Sequence, residues 1–329
     1  MKLIRASAPG RCGIIGNPTD GYGGTVISCS LELRARVEVK PSDSLRIIVS
    51  ESEIELSSTE DFELKKDHFD IPKAILQFME MTGEGLEIRS SSDIPFCAGL
   101  AGSSATLAAI YGALAAWRGI EDSPYMAAEK IHRIEQTILK VQCGFQDHYM
   151  AVFGGLQCMD FRGKEDCEPY ETGVFASMEP LASFVPELPF ILAHTGIEHN
   201  SGNVHRPIRE RWMAGDRDVI EGYTRISYLA RQGKKALINR DWKTLGNLMN
   251  ENHEIQKGLG GSGEVNELMI GAARKAGALG AKLAGAGQGG TIIALATDPE
   301  PVLTSLKEAG ATQLLFPKPS PGLQLEIVN

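Results

Sequence analysis

Between Asp93 and Trp117 the chain reads DIPFCAGLAGSSATLAAIYGALAAW, a loop of small residues running straight into an alanine-rich helix. The first turn of a helix presents unpaired backbone N–H groups and the positive end of its dipole, so such an entry can hold an anion, with phosphate the natural guest. Gly99, Leu100, Ala101, Gly102, Ser103 and Ser104 form the loop. The two serine hydroxyls can cap the helix or reach a phosphate-bound Mg2+. An ordinary core helix entered through a turn has the same local pattern, because glycine-rich helix entries are common.

Several other chemistries are excluded by spacing. Neither Gly-Lys pair is followed by Ser or Thr, so there is no Walker A loop. The run from Gly285 to Gly290 satisfies G-x-G-x-x-G, but TIIALAT follows it, a β-branched strand where a dinucleotide fingerprint needs a helix. No G-x-S-x-G elbow is present, which weakens a hydrolase reading. His194, His199 and His205 lie close in sequence without a repeating metal-ligand spacing, which disfavours zinc there.

A length of 329 residues predicts two lobes, divided here as 1–182 and 183–329, with prolines 180, 186 and 189 bracketing the boundary. A net charge of -9 and a pI near 5.4 argue against nucleic acid or an anionic membrane as partner. The six cysteines form no C-x-x-C pair, which reads as reduced, mostly buried thiols. The opening MKLIRASAPGRCG has no apolar run long enough for a signal peptide, and no segment approaches a membrane span; a soluble, cytoplasmic protein is expected.

The elements that must position the loop follow from periodicity. Residues 3–8, 12–15, 25–28, 31–39, 45–56 and 86–90 read as strands, and 68–81 as a helix. Ser123-Pro124 starts a helix to about Val141, and a charged surface loop is expected over 164–169. Beyond the boundary, 190–194, 281–283 and 291–296 read as strands, 206–212, 219–237, 242–255 and 265–276 as helices, and 313–315 with 323–328 as strands closing the sheet. Strands grouped early and helices late predict an α+β fold rather than an alternating one.

Three glycine-rich stretches, PGRCGIIGNPTDGYGG, IPFCAGLAGSSAT and KLAGAGQGGTIIAL, together resemble the motifs of the GHMP kinases, the superfamily named for galactokinase, homoserine kinase, mevalonate kinase and phosphomevalonate kinase. With the segment around Asp147 they span nearly the whole chain. Within that superfamily the tract SGNVHRPIRERWMAGD, residues 201–216, is similar to one found in glucuronokinases. Gly16-Asn17-Pro18-Thr19-Asp20 stands where galactokinase has G-E-H-T-D, a departure that speaks against galactose.

The resemblance implies a two-lobed kinase using ATP and Mg2+. It implies that Gly99–Ser104 cradles the triphosphate, backed by Gly285 and Gly287, and that Ser104 with Glu135 holds Mg2+. Asp147 would orient the acceptor hydroxyl and take its proton, and Arg11 would keep that carboxylate ionised and stabilise the transferring group. Read blandly, Glu135 is a solvated helix charge, Asp147 a cap, Arg11 a surface arginine and Asp20 a turn residue. Asn17 and Asp20 would touch the acceptor, as would His205 and Arg209, four apart on one face of a basic helix that suits a carboxylate, although such a helix also makes ordinary surface pairs. The expected acceptor is glucuronate at its anomeric hydroxyl. Alternatives are a heptose or neutral-sugar kinase of the same superfamily and a silent nucleotide-binding protein; oligomeric state is not legible.

Overall fold

A computed structural model describes residues 2–164, 170–197, 201–285 and 287–328, with the backbone alone for 201–205. Two long strands organise it. The separate strands expected before Ile15 fuse into β1 (Leu3–Ile15), which pairs antiparallel with β2 (Thr25–Pro41). Register shifts between Pro9 and Arg11 and between Gly13 and Ile15 flank Arg11, and such irregularities re-aim side chains. The run 45–56 is a hairpin of β3 (Leu45–Val49) and β4 (Ser52–Leu56), turned at Ser50 with φ 54°.

The first sheet continues with β5 (Leu86–Ser92), which lies between β2 and β3 and is parallel to β3. It branches at the start of β2, where β6 (Leu156–Asp160) pairs and then carries β7 (Ser177–Pro180). The second sheet is smaller. It holds β8 (Phe190–His194), β9 (Gly280–Leu283), β10 (Thr291–Leu295) and β11 (Gln313–Leu315), in the order β11-β8-β10-β9. The last strand, β12 (Gln324–Val328), returns to the first sheet beside β1, so those residues belong with the early strands rather than with the lobe expected for 183–329.

Helices fill the spaces between. One core packs Ile4, Val37, Val39, Ile47 and Ile88 of the first sheet against α1 (Asp70–Phe78), α2 (Gly102–Arg118), α3 (Pro124–Arg133) and α4 (Gln146–Phe153). Helix α2 is buried on nearly every side past its first turn, and its alanines permit that closeness. A second core joins Cys12, Ile14, Ile27 and Cys29 to Leu229, Leu237, Leu245 and Met249, from α6 (Arg217–Ile238) and α7 (Trp242–Gly258). The second sheet packs on α8 (Glu264–Lys275) and α9 (Pro299–Glu308), while α5 (Ser201–Met213) leans on α6.

The structure departs from the sequence reading at four points. The helix expected to reach Val141 leaves α geometry at Arg133 and passes into a π-helical turn, Ile134–Ile138. Residues 146–153, left without an element by their sequence, form α4. Lys164 is no surface charge: its side chain is buried against Glu129 at 2.7 Å, while 165–169 and Cys167 lie outside the described residues. Finally, β6, β7 and α9 have no counterpart in the sequence reading. None of the five described cysteines is joined in a disulfide, and burial pushes the Cys12 thiol up to about 12. Among the described residues no helix is long and apolar enough to cross a membrane.

Candidate active site

The three glycine motifs meet through their backbones. Arg11 N donates to Leu100 O and Gly13 N to Ala284 O, each at 3.0 Å, which ties the first motif to the second and the third. A Cβ on Gly285 would stand 2.6 Å from Gly99 O, so only glycine lets the third loop back the second. Gly287 has φ 100° and a similar constraint, its Cβ position falling 1.9 Å from Gly261 O. Within the second glycine loop Gly99 (φ 71°) and Ala101 (φ 60°) are left-handed, and Gly102 opens α2.

Arg11 is almost wholly buried and forks onto Asp147. Its Nε donates to Oδ1 at 2.7 Å and its Nη2 to Oδ2 at 2.8 Å, while Nη1 donates to Gly99 O at 2.6 Å. One guanidinium therefore joins the carboxylate to the Gly99–Ser104 loop, in the bidentate geometry that makes charge-assisted bonds strong. Asp147 lies in the first turn of α4 with its side chain 27% exposed, which leaves it reachable by a small molecule.

Glu135 is buried in the π turn, not solvated. Ser103 Oγ donates to Oε1 at 2.8 Å, Ser104 Oγ to Oε2 at 3.1 Å, and His148 Nε2 stands 2.5 Å from Oε2. Burial pushes Glu135 up, but the His148 hydrogen bond and charge and the two hydroxyls hold it below the usual carboxylate range. Burial likewise pushes His148 down, and Glu135, Asp147 and Glu129 outweigh it and raise it. A single π turn at such a position fits the usual location of these irregularities. Oxygen donors at Ser104 and an ionised Glu135 at the start of α2 fit Mg2+.

The residues expected to touch the acceptor divide. Asn17 is buried, with Oδ1 accepting from Lys282 Nζ at 2.6 Å and Nδ2 donating to Gly285 O at 3.4 Å. Asp20 is buried too. Its Oδ2 accepts from Gln146 N at 3.0 Å and its Oδ1 from Gln146 Nε2 at 3.2 Å, so it braces the start of α4, one residue before Asp147, rather than facing solvent. Burial pushes its carboxyl up to about 6, the Gln146 N–H pulling against that and the Asp147 charge adding to it. Arg209 is half-buried on α5, and the side chain of His205 lies outside the described residues, as does all of His199. Of the other basic residues on α5, Arg211 is committed to Asp216 at 2.8 Å. Helix α5 nevertheless belongs beside the first motif, because the ring of Trp212 lies 4.9 Å from that of Tyr22.

Two site residues escaped sequence reasoning. Lys282 is fully buried on β9, where burial pushes its amine down to about 7, and a lysine alternating in a strand gives no sign of that. His148 gave a signal only through its place beside Asp147.

The family model of the GHMP kinases N terminal domain matches residues 70–155, and that of the GHMP kinases C terminal matches 234–312. A mevalonate kinase of Pyrococcus horikoshii is 28% identical over 100% of this chain and 99% of its own. A probable glucuronokinase 2 of Arabidopsis thaliana is 30% identical, covering 84% of this chain and 80% of that protein. Among solved structures, a D-glycero-D-manno-heptose 1-phosphate kinase from Bacteriodes thetaiotaomicron superposes with a TM-score of 0.75 at 22% identity, covering 99% of both chains. Matches in both halves, together with the glucuronokinase relative at 30% identity, lead to one conclusion: the chain belongs to the GHMP kinase family, small-molecule kinases with a mixed α and β fold.

Proposed function

We propose that this chain transfers the γ-phosphoryl group of ATP to the anomeric hydroxyl of a uronic acid, with D-glucuronate the first candidate. The observation that carries the phosphoryl-transfer part is the Arg11 fork, which ties the Asp147 carboxylate to Gly99 of the phosphate loop. Asp147 accepts the proton of the acceptor hydroxyl as its oxygen attacks the γ-phosphorus and ADP leaves. Arg11 fixes the orientation of that carboxylate through its two hydrogen bonds and faces the developing charge. The backbone N–H groups that open α2 hold the phosphates. Ser104 and Glu135 would hold Mg2+, which supplies charge neutralisation across the phosphates when bound. Asn17 and Asp20, buried as they are, act on the acceptor through the loop they brace.

Support for a uronic acid comes from the tract 201–216, with Arg209 on an α5 packed against the first motif, and from the glucuronokinase relative. A second reading, mevalonate, is favoured by relatives that match along the whole chain at 26–28% identity. Both acceptors carry a carboxylate, so the basic helix serves either. An ATP-consumption assay over glucuronate, glucose, a heptose and mevalonate, with phosphorus NMR of the product, separates them. Glucuronate turnover giving an acid-labile sugar 1-phosphate is the expected result; turnover of mevalonate alone overturns the uronic-acid reading, and turnover of none overturns both.

A further inference from the structure

A set of softer donor atoms lies behind the phosphate loop. Glu135, Cys143 and His148 each bring a ligand atom to a common point, all within 4.8 Å of one another. They arrive from the π turn, the loop that follows it and the first turn of α4. His148 is wholly buried, and while its Nε2 meets Glu135, its Nδ1 has no hydrogen-bond partner among the described residues. A buried polar atom in that condition needs a reason, and coordination of an ion is one. Cys143 is only half-buried, which gives the cluster a path to solvent.

Donor chemistry selects the ion. Mg2+ takes oxygen ligands, whereas thiolate, imidazole and carboxylate together suit zinc. Ligand atoms around tetrahedral zinc stand roughly 3.3–3.8 Å apart, so the three side chains need little more than small rotations to close on one centre. We propose that Glu135, Cys143 and His148 bind zinc, or another thiophilic divalent cation, at a site distinct from the oxygen pair of Ser104 and Glu135 but sharing the Glu135 carboxylate. Binding releases to solvent the Cys143 thiol proton and any proton carried by the ligating nitrogen of His148. Because Glu135 is shared, zinc here withdraws a ligand from Mg2+ and slows phosphoryl transfer; that consequence, unlike the site itself, rests on the magnesium role given to Glu135 above.

The chain, stripped of adventitious metal and without nucleotide, is titrated with Co2+ followed by absorbance and with Zn2+ followed by calorimetry. The site predicts one equivalent of metal and a thiolate-to-cobalt charge-transfer band in the wild type. Cys143→Ser should lose the band and bind zinc at least about a hundredfold more weakly, with His148→Gln weakened in the same direction. Cys143→Ala repeats the measurement should the serine variant fail to fold. A wild type without the band, or zinc affinity unchanged in both variants, overturns the site. Kinase assays in Mg2+ then read the consequence: zinc concentrations that inhibit the wild type should leave Cys143→Ser active, and its activity without zinc should match the wild type. Zinc that binds through Cys143 yet leaves turnover untouched keeps the site and removes the magnesium role of Glu135.

Discussion

Arg11 spends three donors on two partners, and that economy makes Asp147 testable without dismantling its surroundings. Asp147→Asn keeps one oxygen for the guanidinium but cannot accept the hydroxyl proton. Turnover should fall by about two orders of magnitude or more while affinity for an ATP analogue stays within about threefold; near-normal single-turnover rates would remove Asp147 from the mechanism. Lys282 offers a test of a different kind. Its folded-state amine lies at about 7 against 10.5 for an ordinary lysine. Between those values the unfolded chain binds the extra proton and the folded chain does not, so stability rises with pH across that window. Relative to Lys282→Met, which cannot titrate, the wild type should gain up to about 1.4 kcal/mol per pH unit between pH 7 and 9 in denaturant titrations. A difference flat with pH would mean that the amine is not desolvated as described. Neither burial was legible beforehand: a charged residue is ordinarily exposed, and the partner of Lys282, Asn17, is remote in sequence.

Elements came through where their signal is local. Helix α2 follows from its glycine entry and alanine run, and α3 from Ser123, whose hydroxyl accepts from Met126 N at 3.2 Å, with Pro124 in its first turn. The π turn did not, because Ile134 and Ile138 continue an α-compatible spacing, and the deviation accompanies a pairing of Glu135 with His148, thirteen residues on, that local periodicity does not reveal. Helix α9 was hidden by Pro299 and Pro301 at its start, although Val302 and Leu306, four apart and buried, were its trace. Loop contacts were invisible too, since the sequence shows three glycine runs but not which backbones they permit to touch. Gly285→Ala tests that touch: its methyl would press on Gly99 O, the carbonyl that also accepts from Arg11. Calorimetry on the folded variant should show ATP-analogue affinity lowered by about tenfold or more, alongside a loss of stability because the clash is with backbone. Unchanged affinity would separate the third motif from the nucleotide.

At the scale of the whole molecule, the second core ties α6 and α7 to the outer face of β1 and β2, and α5 rides on α6. A helix from the late part of the chain is thereby set beside the loop of the first motif, with Trp212 and Tyr223 both against Tyr22. Specificity would then be assembled from both halves, the phosphate loop from one and the carboxylate reader from the other. Arg209 is the residue on which that reading turns, because it stands four residues after His205 in the tract 201–216, while Arg211 braces Asp216 and the carbonyl of Leu259. Arg209→Met keeps much of the apolar stem and removes the guanidinium, and a lost charge-assisted hydrogen bond costs about 1.5 to 3 kcal/mol. The expected outcome is a fall of roughly ten- to a hundredfold in kcat/KM for glucuronate with little change in any slow turnover of glucose, which lacks the carboxylate. A general defect in folding depresses both substrates alike, so their ratio is the quantity to measure. If glucuronate and glucose decline in proportion, or the wild type never prefers the acid, α5 does not read a carboxylate; if the loss appears with mevalonate instead, the helix keeps its role and the acceptor changes.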